Sequence, residues 1–450
     1  MDISAYVNKT VPFKFSGAEL RFDLSHALFS SFDIDRGTKL LLKAVAHDPV
    51  LARSRRVLDE GCGVGVIGLS IAEAFPGTHV VLRDRDSLAV AFTERNRRAN
   101  RIGQRAAAAV AGEADDVSAR PVPSALWACI ASRISAGNFD FVLSNLPAKA
   151  GGPVLASFFS SLTGSDGGSP LLAQGGRAAV VIVEPLALQA EAWIDSARLR
   201  ILERARGADH VVFVIEPADA LPRGGADGAA SSFEGTANLG AFDLGPYKRC
   251  TADFALADLR YRAAGFWGLP EFDTPSFASS AAAELAARVF AGPRIGDLLV
   301  IDPGVGHFAL WASRSGGCRS ITAASRDILA LAASAANIAD LPPTFRPRFA
   351  ALDELELDDL PESSFDVIAD FSVGVPELDQ SPLVWERASR LLRSGGIFLA
   401  VRGPAEMARL ERRRPTGRFA AGPSGRPLPQ WTMLGRRRKR TMTAAAWRMI

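Results

Sequence analysis

Short apolar, β-branched runs alternate with stretches whose apolar positions recur every three to four residues. Arg56–Leu58 reads as a strand that leads into Gly61–Gly65 and then into the apolar-periodic Val66–Ala74. His79–Leu82 is the next strand, and a helix follows around Ala89–Ala99. Phe139–Leu143, Arg177–Val183 and His210–Ile215 continue the series. Strands joined through helical stretches predict a mostly parallel α/β sheet, because parallel neighbours need a long crossover between them.

The same order recurs in the second half. Glu19-Leu20-Arg21-Phe22 resembles Asp258-Leu259-Arg260-Tyr261, and Val57 through Gly63 resembles Val300 through Gly306. Phe139-Asp140-Phe141-Val142 resembles Phe365-Asp366-Val367-Ile368, and Gly175-Gly176 matches Gly395-Gly396 before a strand. Four landmarks in one order indicate a duplication rather than a short-period solenoid. The expected domains are 1–218 and 249–450, joined by a Gly-, Ala-, Pro- and Ser-rich linker over 219–248.

Composition then narrows the function classes. With 48% hydrophobic residues the chain is not disordered. Its 52 basic and 49 acidic residues nearly cancel, so a nucleic-acid role must rest on a local patch. The four cysteines form no CxxC pair, which points to neither a zinc site nor a disulfide framework. The start Met1-Asp2-Ile3 lacks signal-peptide character, and no apolar run reaches the roughly 18 residues of a membrane span. A cytoplasmic setting is the expectation.

The chemistry gathers at Asp59-Glu60-Gly61-Cys62-Gly63-Val64-Gly65, between a strand and a helix. Glycines allow a sharp turn and close approach of a ligand to the backbone, and the helix start offers free N–H groups. Asp84 ends the next strand, where an acid can accept both hydroxyls of a ribose. Gly63 through Gly68 also fits the dinucleotide pattern G-x-G-x-x-G. It lies too deep in the helix for that use, and Asp59 is left unexplained by it.

The D-x-G-x-G-x-G turn followed by an acidic strand end resembles the class I S-adenosylmethionine methyltransferases. The preceding Leu28–Leu42, with Phe29-Ser30, Asp35-Arg36-Gly37-Thr38 and Leu40-Leu41-Leu42, is similar to the lead-in of the methyltransferase small domain family. That family includes the bacterial rRNA guanine-N2 methyltransferases. The resemblance implies two tandem Rossmann-like class I methyltransferase domains, the second degenerate. In those relatives the N-terminal copy is usually the degenerate one, whereas the better motifs are N-terminal here. It also implies S-adenosylmethionine as cofactor, held by Asp59, Gly61, Gly63, Gly65 and Asp84, with Glu113 accepting from the adenine amine. No metal is implied.

Ser144-Asn145-Leu146-Pro147-Ala148-Lys149 falls where amino-methylating members carry Asn-Pro-Pro-aromatic. An Asn oxygen and a backbone carbonyl can accept both N–H bonds of an exocyclic amine and so aim its lone pair. Asn145 and Pro147 keep the pattern, while Leu146 and Ala148 depart from it, and Ala148 removes the ring that stacks on the target. In the second copy Asp302, Gly304 and Gly306 are retained, and Phe308 stands for the third glycine. The strand-end acid is missing unless Asp327 replaces it. Arg436, Arg437, Arg438, Lys439 and Arg440 read as a basic hairpin tip beside Trp431 and Trp447, suited to RNA. The expected activity is N-methylation of an exocyclic amine, guanine N2 in ribosomal or other structured RNA. Protein glutamine, adenine N6 and a non-catalytic S-adenosylmethionine- or RNA-binding scaffold are the alternatives.

Overall fold

The computed structural model describes residues 3–29, 32–103, 124–127, 138–221, 244–291, 294–315, 317–416 and 420–450, with backbone only at 124–127. The chain divides into two compact units, residues 2–232 and 233–450. Most of the expected linker lies outside the described residues.

The first unit opens with an antiparallel hairpin, β1 (Lys9–Phe15) and β2 (Ala18–Leu24). Helix α1 (Arg36–Val45) follows, started by Asp35, whose carboxylate accepts the Thr38 N–H at 3.1 Å. Leu41, Leu42 and Val45 form its buried face. The sheet then builds from β3 (Arg56–Glu60), β4 (His79–Asp84), β5 (Ser124–Trp127), β6 (Phe139–Asn145), β7 (Leu172–Val183), β8 (Leu199–Arg206) and β9 (His210–Pro217). Helices α2 (Val66–Ala74), α3 (Ser87–Ala99), α4 (Gly152–Thr163) and α5 (Ala187–Ser196) connect the strands.

The strand order is β5-β4-β3-β6-β7-β9-β8. All pairs are parallel except those that β9 makes with β7 and β8. Consecutive crossovers leave β3 in one direction and return through β6 in the other. The carboxyl ends of β3 and β6 therefore splay apart into a crevice. Helix α2 opens at that crevice, and Val66 through Ala72 are all buried, so its first two turns are enclosed on every side.

The second unit repeats this plan. Hairpin β10 (Lys248–Leu256) and β11 (Leu259–Phe266) precedes helix α6 (Phe277–Val289). The strands β12 (Gly296–Ile301), β13 (Cys318–Ser325), β14 (Arg348–Asp353), β15 (Phe365–Asp370), β16 (Leu392–Arg402), β17 (Trp431–Lys439) and β18 (Met442–Met449) take the order β14-β13-β12-β15-β16-β18-β17. Helices α7 (His307–Arg314), α8 (Ile328–Ala339), α9 (Ser381–Leu391) and α10 (Pro404–Arg412) complete the unit.

The register of the repeat differs from the one its motifs suggest. A buried asparagine ties the hairpin to the glycine turn in each unit. Asn96 Nδ2 donates to Asp23 O (3.2 Å) and Val64 O (2.9 Å), and its Oδ1 accepts the Asp23 N–H (2.8 Å). Asn337 makes the same three bonds with Ala264 and Val305 at 3.0, 2.8 and 2.7 Å. Gly65 and Gly306 each cap the next helix in a left-handed conformation, φ 87° and 94°. Asp302 (φ 54°) consequently stands where Gly61 (φ 80°) does, and Val300 where Asp59 does. The third glycine is kept as Gly306, and the first is the one lost. Matching acids drew the sequence alignment two residues out of step, whereas hydrogen bonds set the real correspondence.

Candidate active site

The crevice of the first unit is built on the turn after β3. Gly61, Gly63 and Gly65 have φ of 80°, 56° and 87°, a region that favours glycine. At Gly65 the reason is also packing, since a Cβ would meet Leu69 Cδ1 at 2.9 Å and Thr93 Oγ1 at 3.0 Å. A Cβ at Gly63 would meet nothing within 4 Å, so its backbone borders open space.

Two carboxylates brace this turn. Asp84, at the end of β4, accepts the Gly63 N–H with Oδ2 and the Asp86 N–H with Oδ1, both at 2.9 Å. Burial pushes its carboxyl up from the ordinary range, against the pull of those N–H groups. Asp59 is fully buried. Its Oδ2 accepts the Gly68 N–H at 2.8 Å, while Oδ1 has no hydrogen-bond partner among the described residues. Burial, aided by Asp84 and Glu60, pushes Asp59 up to about 7. Beneath them Glu60 and Arg83 form a buried ion pair at 3.0 Å. The Cys62 thiol is buried and raised well above its usual value, so it packs rather than reacts.

Asn145 is the last residue of β6, beside β3. Its Nδ2 donates to Asp35 Oδ2 at 3.0 Å and to Thr38 Oγ1 at 3.2 Å. Both amide hydrogens are thus taken by the start of α1, and Oδ1 is turned the other way. Leu146 is buried and donates its N–H to Val181 O at 3.0 Å. Pro147, Ala148 and Lys149 are exposed on the following turn. The structure therefore brings Asp59 of β3, Gly61, Gly63 and Gly65 of the turn and Asp84 of β4 together, and sets Asn145 on the strand next to β3. Glu113 lies outside the described residues. Asp35 and Thr38 were not singled out as site residues from sequence; their signal was the Asp-x-Gly-Thr motif of the lead-in.

The corresponding place in the second unit has different chemistry. Ser325 stands for Asp84, donating to Asp302 Oδ1 at 2.8 Å and accepting the Asp327 N–H at 3.1 Å. Asp327 does not replace the strand-end acid. It caps α8 through the Leu329 N–H at 3.1 Å, as Asp86 caps α3 through Leu88 at 2.9 Å. Phe371 follows β15 at the position of Asn145 and packs against Phe308, with ring centroids 5.3 Å apart. Asp370 and Arg402 form a buried ion pair. Burial pushes Glu354 up to about 8, with Asp302 nearby adding to the rise. His307 is buried between the Tyr261 hydroxyl (2.8 Å) and the Glu271 carbonyl (3.0 Å), a packing role.

The C-terminal basic run is not a hairpin tip. Arg436–Lys439 lie within β17, and the turn falls at Arg440 and Thr441. Arg437 and Lys439 pair with Glu284 of α6 at 2.6 and 2.5 Å, and Arg436 approaches Glu411 at 3.4 Å. The Arg440 guanidinium lies over the Phe277 ring at 4.8 Å. Trp431 and Trp447 are buried with Trp385 and Phe398 in one ring cluster, so neither presents a face to solvent.

Comparison with known proteins defines the class. The family model "Methyltransferase small domain" matches residues 19–197. A ribosomal RNA small subunit methyltransferase C of Pseudomonas entomophila is 34% identical over 125 residues, 28% of this chain and 30% of that protein. A ribosomal RNA large subunit methyltransferase G of Streptomyces griseus is 42% identical over 77 residues, 17% and 19% of the two chains. The chain thus spans less than a third of the length of these curated relatives. A solved 16S rRNA N2 methyltransferase of T. thermophilus, in complex with AdoMet and guanosine, superposes with a TM-score of 0.63. That match covers all of both chains at 17% identity, so the shared feature is the fold. The fold is thus the one shared with that solved methyltransferase, along the whole chain. Within that fold, residues 19–197 are the segment that matches the methyltransferase small domain.

Proposed function

We propose that the first unit binds S-adenosylmethionine and methylates an exocyclic amine, guanine N2 of ribosomal or other structured RNA. The residues fit that cofactor. Open space borders the Gly63 backbone, Asp59 keeps an orphaned Oδ1, and the Asp84 carboxylate, bonded to the Gly63 N–H, would accept the ribose hydroxyls. When bound, S-adenosylmethionine supplies a methyl group on an electrophilic sulfonium centre.

The observation that carries the reading is the tethered amide of Asn145. With both N–H groups held by Asp35 and Thr38, its Oδ1 is a fixed acceptor for one N–H of the amine. A loop carbonyl accepts the other. Those two bonds hold the nitrogen lone pair along the line to the methyl carbon, so catalysis is mostly positioning. The amine held by Asn145 would take the methyl on its nitrogen, leave the electron pair on sulfur, and release one proton to water. The rRNA methyltransferase relatives support RNA as substrate.

The test is tritium transfer from labelled cofactor into total RNA and total protein from a strain lacking this gene. Label in RNA is expected, and Asn145→Ala should lower kcat by about a hundredfold or more without weakening cofactor binding. Label confined to protein would overturn the RNA assignment. The exposed Ala148, lacking a stacking ring, favours a non-catalytic scaffold as the second reading. Cofactor binding with no labelled product would decide for it.

A further inference from the structure

The acceptor loop has lost its aromatic residue at Ala148, yet the first unit exposes two rings elsewhere. Among its described phenylalanines only Phe29 (71% exposed) and Phe32 (69%) are exposed; the rest are buried or half-buried. Both belong to the segment that runs from the hairpin into α1. Phe32 is three residues before Asp35, so its backbone lies within about 11 Å of that residue. The Asp35 carboxylate touches the Asn145 amide at 3.0 Å. Phe32 is also anchored. Lys9 Nζ donates to its carbonyl at 3.0 Å, and its ring packs in a T-shaped contact with His26, centroids 4.8 Å apart. An anchored ring that remains mostly exposed gives a planar ligand a fixed surface at small ordering cost.

We propose that Phe32 is the stacking platform for the target purine, replacing the ring absent at Ala148. This rests on the nucleobase-methylating reading and adds the residue that sorts planar acceptors from open-chain ones. Stacking on one aromatic side chain is sequence-tolerant, so it holds the base while Asn145 Oδ1 selects the amine.

Two measurements on the full chain test the proposal. The first compares methyl transfer to rRNA by wild type, Phe32→Leu, Phe32→Tyr and Phe29→Leu. Phe32→Leu should lower kcat/KM for RNA about tenfold or more, with unchanged cofactor affinity by calorimetry. Phe32→Tyr should keep most of the activity, and Phe29→Leu should change little. The second needs no turnover: fluorescence of a single-stranded RNA carrying 2-aminopurine, which bears its amine at the guanine N2 position. Wild type and Phe32→Tyr should quench it by stacking, and Phe32→Leu should not. Quenching without RNA methylation sinks the catalytic reading and leaves the platform standing. Equal quenching by wild type and Phe32→Leu overturns the platform, whatever the methylation assay shows.

Discussion

Asp59 concentrates the electrostatic cost of the site. It is a fully buried acid with one orphaned oxygen, raised to about 7 by burial. Its unfolded value is near 3.8. Between those values the folded state holds a proton that the unfolded chain has released. Stability is therefore greatest below the unfolded value, falls as pH rises through this window, and levels off above about 7. Asp59→Asn removes the titration, so the unfolding transition of the first unit should lose most of its decline between pH 5 and 8. At pH 8 the variant should gain up to about 4 kcal/mol, since the rise from 3.8 to about 7 spans about three pKa units at about 1.4 kcal/mol each. Thermal melts at the two pH values measure it, and an unchanged decline would assign the pH dependence elsewhere. At this scale the sequence was legible where a residue type has few other uses. Asp59, the glycines and Asp84 meet in one turn, as their spacing implied. The Asp35–Asn145 bond was not legible, because it joins residues 110 positions apart through a fold that spacing alone does not describe.

The elements were readable from periodicity, and their correspondence between the two halves was not. Parallel strands buried on both faces, such as Val80–Leu82 and Leu298–Ile301, give near-continuous apolar runs that locate a strand without fixing its register. Asn96 and Asn337 fix it by satisfying backbone groups of the hairpin and the turn together. Asn96→Ala would leave the Asp23 N–H and the Val64 carbonyl without their side-chain partner. A loss of about 2–4 kcal/mol is expected from unmet buried groups, and a denaturant midpoint within error of wild type would refute that role. Similarly, β17 reads as a charged turn from sequence because five consecutive cations suggest solvent. On a strand the side chains alternate between faces, which puts Arg437 and Lys439 on the side of Glu284.

For the whole molecule, duplication has produced two units with one topology and unequal chemistry. The first keeps the strand acid, all three glycines and the strand-end acid. The second has Val300, Asp302 and Ser325 at three of those places and Phe371 in place of Asn145. Calorimetry of the full chain should find one S-adenosylmethionine site, and Asp84→Ala should abolish it. Two sites, or residual tight binding in that variant, would show that the second cleft is functional. The tandem arrangement was visible as repeated landmarks. Which glycine had been lost was not, because a left-handed aspartate and a left-handed glycine look alike only in three dimensions.

Asp302 shows where the shape of this fold is stored. The left-handed corner persists with an aspartate in it, a conformation that costs roughly 1 kcal/mol or more without glycine. It survives because Asn337 and Ser325 grip the corner from two sides. The frame of the crevice is thus a property of its scaffolding bonds. Side chains facing the crevice can therefore differ between the two units while the corner beneath them stays the same.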